Sequence, residues 1–119
     1  MSFEAGSEVA VSDHALLRWL ERVHGYDIAI LRRRICAFMR TQRIKDSVVV
    51  RFVEDGLGID LGPMRQKMRD HVASAHVAHD GRQMLALKDG IGIVLQRDDG
   101  TWTMATVLDP GMEHRLKGK

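Results

Sequence analysis

His14, Arg18 and Arg22 are spaced four residues apart in the segment His14-Ala15-Leu16-Leu17-Arg18-Trp19-Leu20-Glu21-Arg22. Helical positions i, i+4 and i+8 share one face, so this segment sets an imidazole beside two guanidiniums. An imidazole exchanges a proton near neutral pH, and guanidiniums grip phosphate through paired N–H donors. The three residue types therefore suit acid–base work on a phosphate. A second basic element follows, with Arg32, Arg33, Arg34, Arg40, Arg43 and Lys45 in close succession and Asp46 closing the run. Arg outnumbers Lys by 13 to 5, a bias that suits bidentate phosphate contact and a polyanionic partner. Both features also have a plainer reading. A charge run is often a solvated helix face, and His14 can occupy the first turn of an exposed helix whose Glu21 pairs with Arg18.

The elements that must position these residues can be read from spacing. Residues 1–11 have no periodicity and read as a flexible arm. Ser12 or Asp13 offers an N-cap, Leu16, Trp19, Leu20 and Val23 follow at helical intervals, and Gly25 closes the helix. Asp27 caps a second helix whose apolar side is Ile28, Leu31, Ile35, Phe38 and Met39. Residues 12–43 thus form a helical hairpin. The stretch Ser47 to Val53 has the β-branched content of a strand, but a 33-residue shift argues for helix. Aligning residues 14–38 with 47–71 gives five identities without a gap: Arg18 on Arg51, Glu21 on Glu54, Gly25 on Gly58, Asp27 on Asp60 and Arg32 on Arg65. This predicts a tandem second hairpin over 44–73. Asp46 or Ser47 would cap its first helix. Asp60 would cap its second, with Pro63 in the first turn and Leu61, Met64, Met68, Val72 and Ala75 facing inward.

After residue 74 the period becomes two. Asp80-Gly81, Asp89-Gly90 and Asp98-Asp99-Gly100 punctuate short apolar runs, which predicts an antiparallel meander of about four strands at 75–79, 83–88, 91–96 and 101–108. Its apolar side is Met84, Ala86, Ile91, Ile93, Leu95, Met104 and Val107. Asp109-Pro110-Gly111 ends the sheet region at 110, and 111–119 is a basic tail. The predicted fold is α+β, one domain over 1–119, with helical hairpins packed on the sheet.

Composition narrows the setting. Among 119 residues, 45% are hydrophobic and 29% charged, with net charge +2 and a pI near 9.0. These are globular values. No apolar run spans a bilayer, no basic-plus-apolar leader opens the chain, and Cys36 is alone in an apolar helical context, which suits a buried thiol. The expected location is the cytoplasm, without membrane association. His71, His76 and His79 invite a metal reading. However, His76 and His79 would face opposite sides of a strand, and no Cys or carboxylate cluster completes a set, so no metal site is assigned. Gly56-Leu57-Gly58 lacks the third glycine and the strand–helix setting of a dinucleotide loop, so no cofactor is expected.

The segment from His14 to Arg22 resembles the His-Ala-x-x-Arg-x-x-x-Arg helix of small bacterial toxin and phage domains of the barnase–EndoU–colicin–RelE fold. Thr106-Val107-Leu108 is similar to the ending of their last strand. The resemblance covers residues 12–37 and roughly 74–110. It leaves out 39–72, where the second hairpin is an insertion carrying Ser47 in place of His14. It implies a metal-independent ribonuclease, with His14 as general acid or base, Arg18 and Arg22 as phosphate clamps and Thr106 as an orienting hydroxyl. RNA would be the substrate and an antitoxin a possible protein partner. Arg32, Arg33, Arg34, Arg40 and Arg43 would supply further nucleic-acid contact. Two other classes stay open: a non-catalytic module binding protein or nucleic acid through the repeat surface, and a prophage accessory protein that keeps the scaffold for its shape.

Overall fold

Short polar side chains start the first two helices. In a computed structural model that describes residues 9–80, 83–98 and 100–108, Ser12 Oγ accepts the Ala15 N–H at 3.1 Å and starts α1, Asp13–Arg22. Asp27 Oδ1 accepts the Ile30 N–H at 3.0 Å and starts α2, Ile28–Met39. Each bond satisfies a backbone donor that a helix leaves orphaned. Residues 46–56 are helical, as the 33-residue alignment predicts: α3, Asp46–Arg51, runs into a π-helical turn at Phe52–Gly56. The cap there differs from expectation. Lys45 holds the N-cap position with no side-chain bond, because the Asp46 carboxylate is engaged elsewhere. Asp60 Oδ1 accepts the Gly62 N–H at 2.9 Å ahead of α4, Gly62–Ser74, where Pro63 sits in the first turn.

The two inter-helix turns are built alike. Gly25 and Gly58, 33 residues apart, have φ of +75° and +68°, a region that side chains with a Cβ avoid. Beside them the Tyr26 N–H reaches the Leu20 carbonyl at 3.1 Å, and the Ile59 N–H reaches the Val53 carbonyl at 3.2 Å.

The fold is α+β, with four α-helices and a five-stranded mixed sheet in the order β1-β5-β4-β3-β2 among the described residues. Strands β2 (His76–Asp80), β3 (Gln83–Lys88), β4 (Ile91–Asp98) and β5 (Thr101–Leu108) pair antiparallel with their chain neighbours. The Asp89-Gly90 turn has positive φ at both residues, 54° and 79°, the twist a two-residue hairpin needs. The fifth strand corrects the flexible-arm reading for residues 9–11. Val9 is buried, and β1 (Ala10–Val11) lies parallel to β5, with Ala10 opposite Thr103 and Val11 opposite Met104. Residues 1–8, the strand stop at 109–111 and the basic tail 111–119 lie outside the described residues.

One apolar cluster joins the layers. Leu16, Trp19 and Leu20 of α1 pack with Val49, Val53, Met68 and Val72 from the second hairpin and with Met84, Ala86, Ile93, Leu95, Met104 and Val107 of the sheet. Helix α1 is the hub: it lies on β5 and touches the other three helices. Two expected core residues are not in this cluster. Phe38 is 83% exposed and Met39 50%, because they lie at the end of α2 where Arg40 turns left-handed, φ +53°. Cys36, expected buried, is only partly covered. Among the described residues no helix is long and apolar enough to cross a membrane.

Candidate functional site

Asp46 organises a polar concavity beside the first hairpin. Standing first in α3, it reaches toward both helices of the first hairpin. Its Oδ2 lies 3.1 Å from His14 Nδ1, and its Oδ1 accepts from Arg32 Nη2. A carboxylate only accepts, so His14 carries a proton on Nδ1 and leaves Nε2 facing away from the pair. Arg32 is fixed a second time, since its Nη1 donates to the Ile44 carbonyl at 2.9 Å. Burial by itself would raise the Asp46 carboxyl, but hydrogen bonds and charge from Arg32 and then His14 outweigh it and hold the group below its ordinary 3.8.

Around this triad opens a groove of about 450 Å³. Its polar walls are His14, Arg18 and Glu21 from α1, Arg32 and Arg33 from α2, and Asp46; Leu17, Ile28 and Ala29 complete the lining. Three guanidiniums face two carboxylates, so the groove is cationic before His14 takes a proton. Arg18 Nη1 donates to Glu21 Oε1 at 2.9 Å. The His14 side chain is 47% exposed and that of Asp46 30%, so a ligand can reach the imidazole while Asp46 stays behind it.

Of the four residues assigned catalytic roles from the sequence, the fold brings two together. His14 and Arg18 share the groove, and Arg32 and Arg33 from the basic run join them. Arg22 does not line it; its Nη1 donates to the Val107 carbonyl and ties the end of α1 to β5. Thr106 lies on the far side of the sheet. Ile93 pairs with Val107, both fully buried in the core that contains α1, while the next pair, Val94 and Thr106, points the other way. A register shift at Val94/Leu95 sets this phase, and no local pattern announced it. Arg34, Arg40 and Arg43 are exposed and outside the groove.

Sequence reasoning passed over Asp46 and Glu21 as site residues. A signal existed for the first: Asp46 is the sole acid between Asp27 and Glu54, directly after the basic run. The histidines of the C-terminal half act locally. His71 Nε2 donates to the Ile91 carbonyl at 2.9 Å and its ring stands edge-on to Trp19, 5.5 Å between centroids. His76 sits opposite Leu87 and His79 opposite Met84, on alternate faces of β2. Among the described residues no group of three or more His, Cys, Asp or Glu is placed to hold a metal ion.

Comparison with protein-family models, with curated proteins and with solved structures finds no match to this chain.

Proposed function

We propose that the His14 groove binds the phosphate backbone of RNA and cleaves it without a metal, as a ribonuclease-like domain of toxin or phage type. One observation carries the reading: the Asp46 carboxylate holds His14 Nδ1 at 3.1 Å inside a groove walled by Arg18, Arg32 and Arg33. In such a reaction the ribose 2′-hydroxyl attacks phosphorus while a base removes its proton. The 5′-oxygen departs with a proton from an acid, leaving a 2′,3′-cyclic phosphate and a 5′-hydroxyl. His14 Nε2 serves as one proton-transfer group. Glu21, seven residues along α1 and so roughly 10 Å along its axis, serves as the other across the phosphate. The guanidiniums meet the charge that builds on the phosphoryl oxygens. Asp46 sets the imidazole tautomer, acting through His14 and not on the substrate.

The catalytic set thus becomes His14 and Glu21, with Arg18, Arg32 and Arg33 as clamps. Arg22 and Thr106 take structural places. The test is cleavage of a labelled RNA in EDTA. Wild-type protein should cut it, and His14→Ala should lose about 10²-fold or more in rate. Unchanged cleavage by that variant refutes the proposal.

We infer that residues 47–71 arose as a copy of 14–38. The paired turn bonds and glycines support this, as does the Arg65–Glu54 contact at 3.4 Å: the same shift maps these two residues onto Arg32 and Glu21, which face each other across the first groove.

A further inference from the structure

A second concavity, of about 470 Å³, separates the end of α2 from α3 and its π turn. Its lining is mostly apolar: Ile35, Phe38 and Met39 on one wall, Val48 and Phe52 on the other. Phe38, 83% exposed, and Met39, 50% exposed, lie at its edge with their apolar surface in water. A contiguous apolar patch of this kind on a small domain marks a contact surface.

The border of the patch is mainly basic. Arg34 precedes Phe38 by one helical turn and therefore flanks it, Arg40 follows Met39, and Arg51 lines the groove itself. All three are exposed and none has an ion pair among the described residues. Asp55 is the one carboxylate in the lining. Three guanidiniums against one carboxylate call for an acidic ligand. A second copy of the chain fits poorly, because a two-fold contact would place these arginines against their own counterparts. Single-stranded RNA stacks its bases on flat rings. Phe38 and Phe52 are such rings, but Ile35, Met39 and Val48 make the rest of the wall aliphatic, so RNA is kept as an outcome of the test. A concave apolar strip edged by cations matches the apolar stripe and acidic flanks of an amphipathic helix.

We propose that the α2–α3 groove docks an acidic amphipathic helix of a partner protein, with Phe38 as the central apolar contact and Arg34, Arg40 and Arg51 pairing with its carboxylates. The site is separate from the His14 groove, so both can be filled at once.

The test uses full-length protein and two fluorescent 18-residue peptides. Each carries Leu at helical i, i+3, i+4 and i+7 spacing; one has Glu at the flanking positions and the other Lys. Anisotropy should show the Glu peptide binding at least about tenfold more tightly than the Lys peptide. Phe38→Ala and Arg51→Glu should each weaken it by about tenfold or more, while His14→Ala leaves it unchanged. Circular dichroism of Phe38→Ala should match wild type, since so exposed a ring supports little of the fold. Equal binding of the two peptides, no binding of either, or full binding by Phe38→Ala overturns the proposal. So does a uridine 12-mer that displaces the Glu peptide and loses affinity with Phe38→Ala, or a dimer in sedimentation that Phe38→Asp dissolves.

Discussion

The two helical hairpins have matching turns, and the two grooves on either side of α2 differ in polarity. Each turns on a positive-φ glycine, Gly25 or Gly58, and each locks that turn with a backbone bond in the same relative place. In the first, His14 and Arg18 face Arg32 and Arg33 across a charged cleft. The apolar cleft lies between the hairpins: Ser47 and Arg51 of α3, 33 residues after His14 and Arg18, face Phe38 and Met39 of α2. The two clefts differ in the side chains that line them, one charged and one mostly apolar. The backbone supplies the clefts, and side-chain chemistry decides their use. Asp46 links the two: it belongs to the second hairpin by position and to the first by its bonds with His14 and Arg32.

Substitutions can break or sharpen this comparison. The largest effect is expected at the hub. Leu16→Ala removes a fully buried side chain of α1 and should lower unfolding stability by about 2–5 kcal/mol in urea titration. Its counterpart Val49→Ala should cost less, because fewer carbons leave an equally closed site. Next come the turns: Gly25→Ala and Gly58→Ala each force a Cβ into a left-handed conformation, with an expected loss of about 1–2 kcal/mol. Nothing lies within 4 Å of a Cβ at either position, so the two losses should agree, and a clear inequality would break the parallel.

Asp46 gives a pH signature that belongs to the first groove alone. Its carboxyl titrates below 3.8 in the folded chain. The Arg32 ion pair and the His14 hydrogen bond to this carboxylate therefore contribute fully above that value and are lost as the pH falls through the lowered one. Thermal unfolding followed between pH 5 and about 2 should show this acid loss, and Asp46→Asn should flatten it. An unaltered acid limb would mean that the carboxylate is not held as the geometry implies. The smallest effect should be at the second groove's rim, where Phe38→Ala should shift stability by no more than about 0.5 kcal/mol.

What the chain order revealed was local. Ser12, Asp27, Gly25 and the Asp89-Gly90 turn could be read because capping and turn geometry depend on neighbours within a few residues. The helix at 46–56 was legible only through the 33-residue alignment, since the three valines by themselves favour a strand. The two-residue strand β1 was hidden because its pairing with Thr103 and Met104 spans most of the chain. Thr106 was misplaced for a related reason: a register shift opposite Leu95 decides which face each later residue takes. At the site, His14 and Arg18 followed from helical spacing. Asp46 did not, because its meaning comes from a fold that brings it to a partner 32 residues away. Phe38 carried the helical signature of a core residue, but α2 ends before any layer covers it.

The central claim is that proton transfer takes place in the first groove and not in the second. The most direct measurement is single-turnover cleavage of a labelled RNA in EDTA by two variants side by side. His14→Ser installs the residue that the second hairpin carries at the matching position, and Arg51→Ala removes the charge lining the apolar cleft. The account predicts that His14→Ser loses cleavage while Arg51→Ala cuts at the wild-type rate. Cleavage that survives His14→Ser and disappears with Arg51→Ala would contradict it.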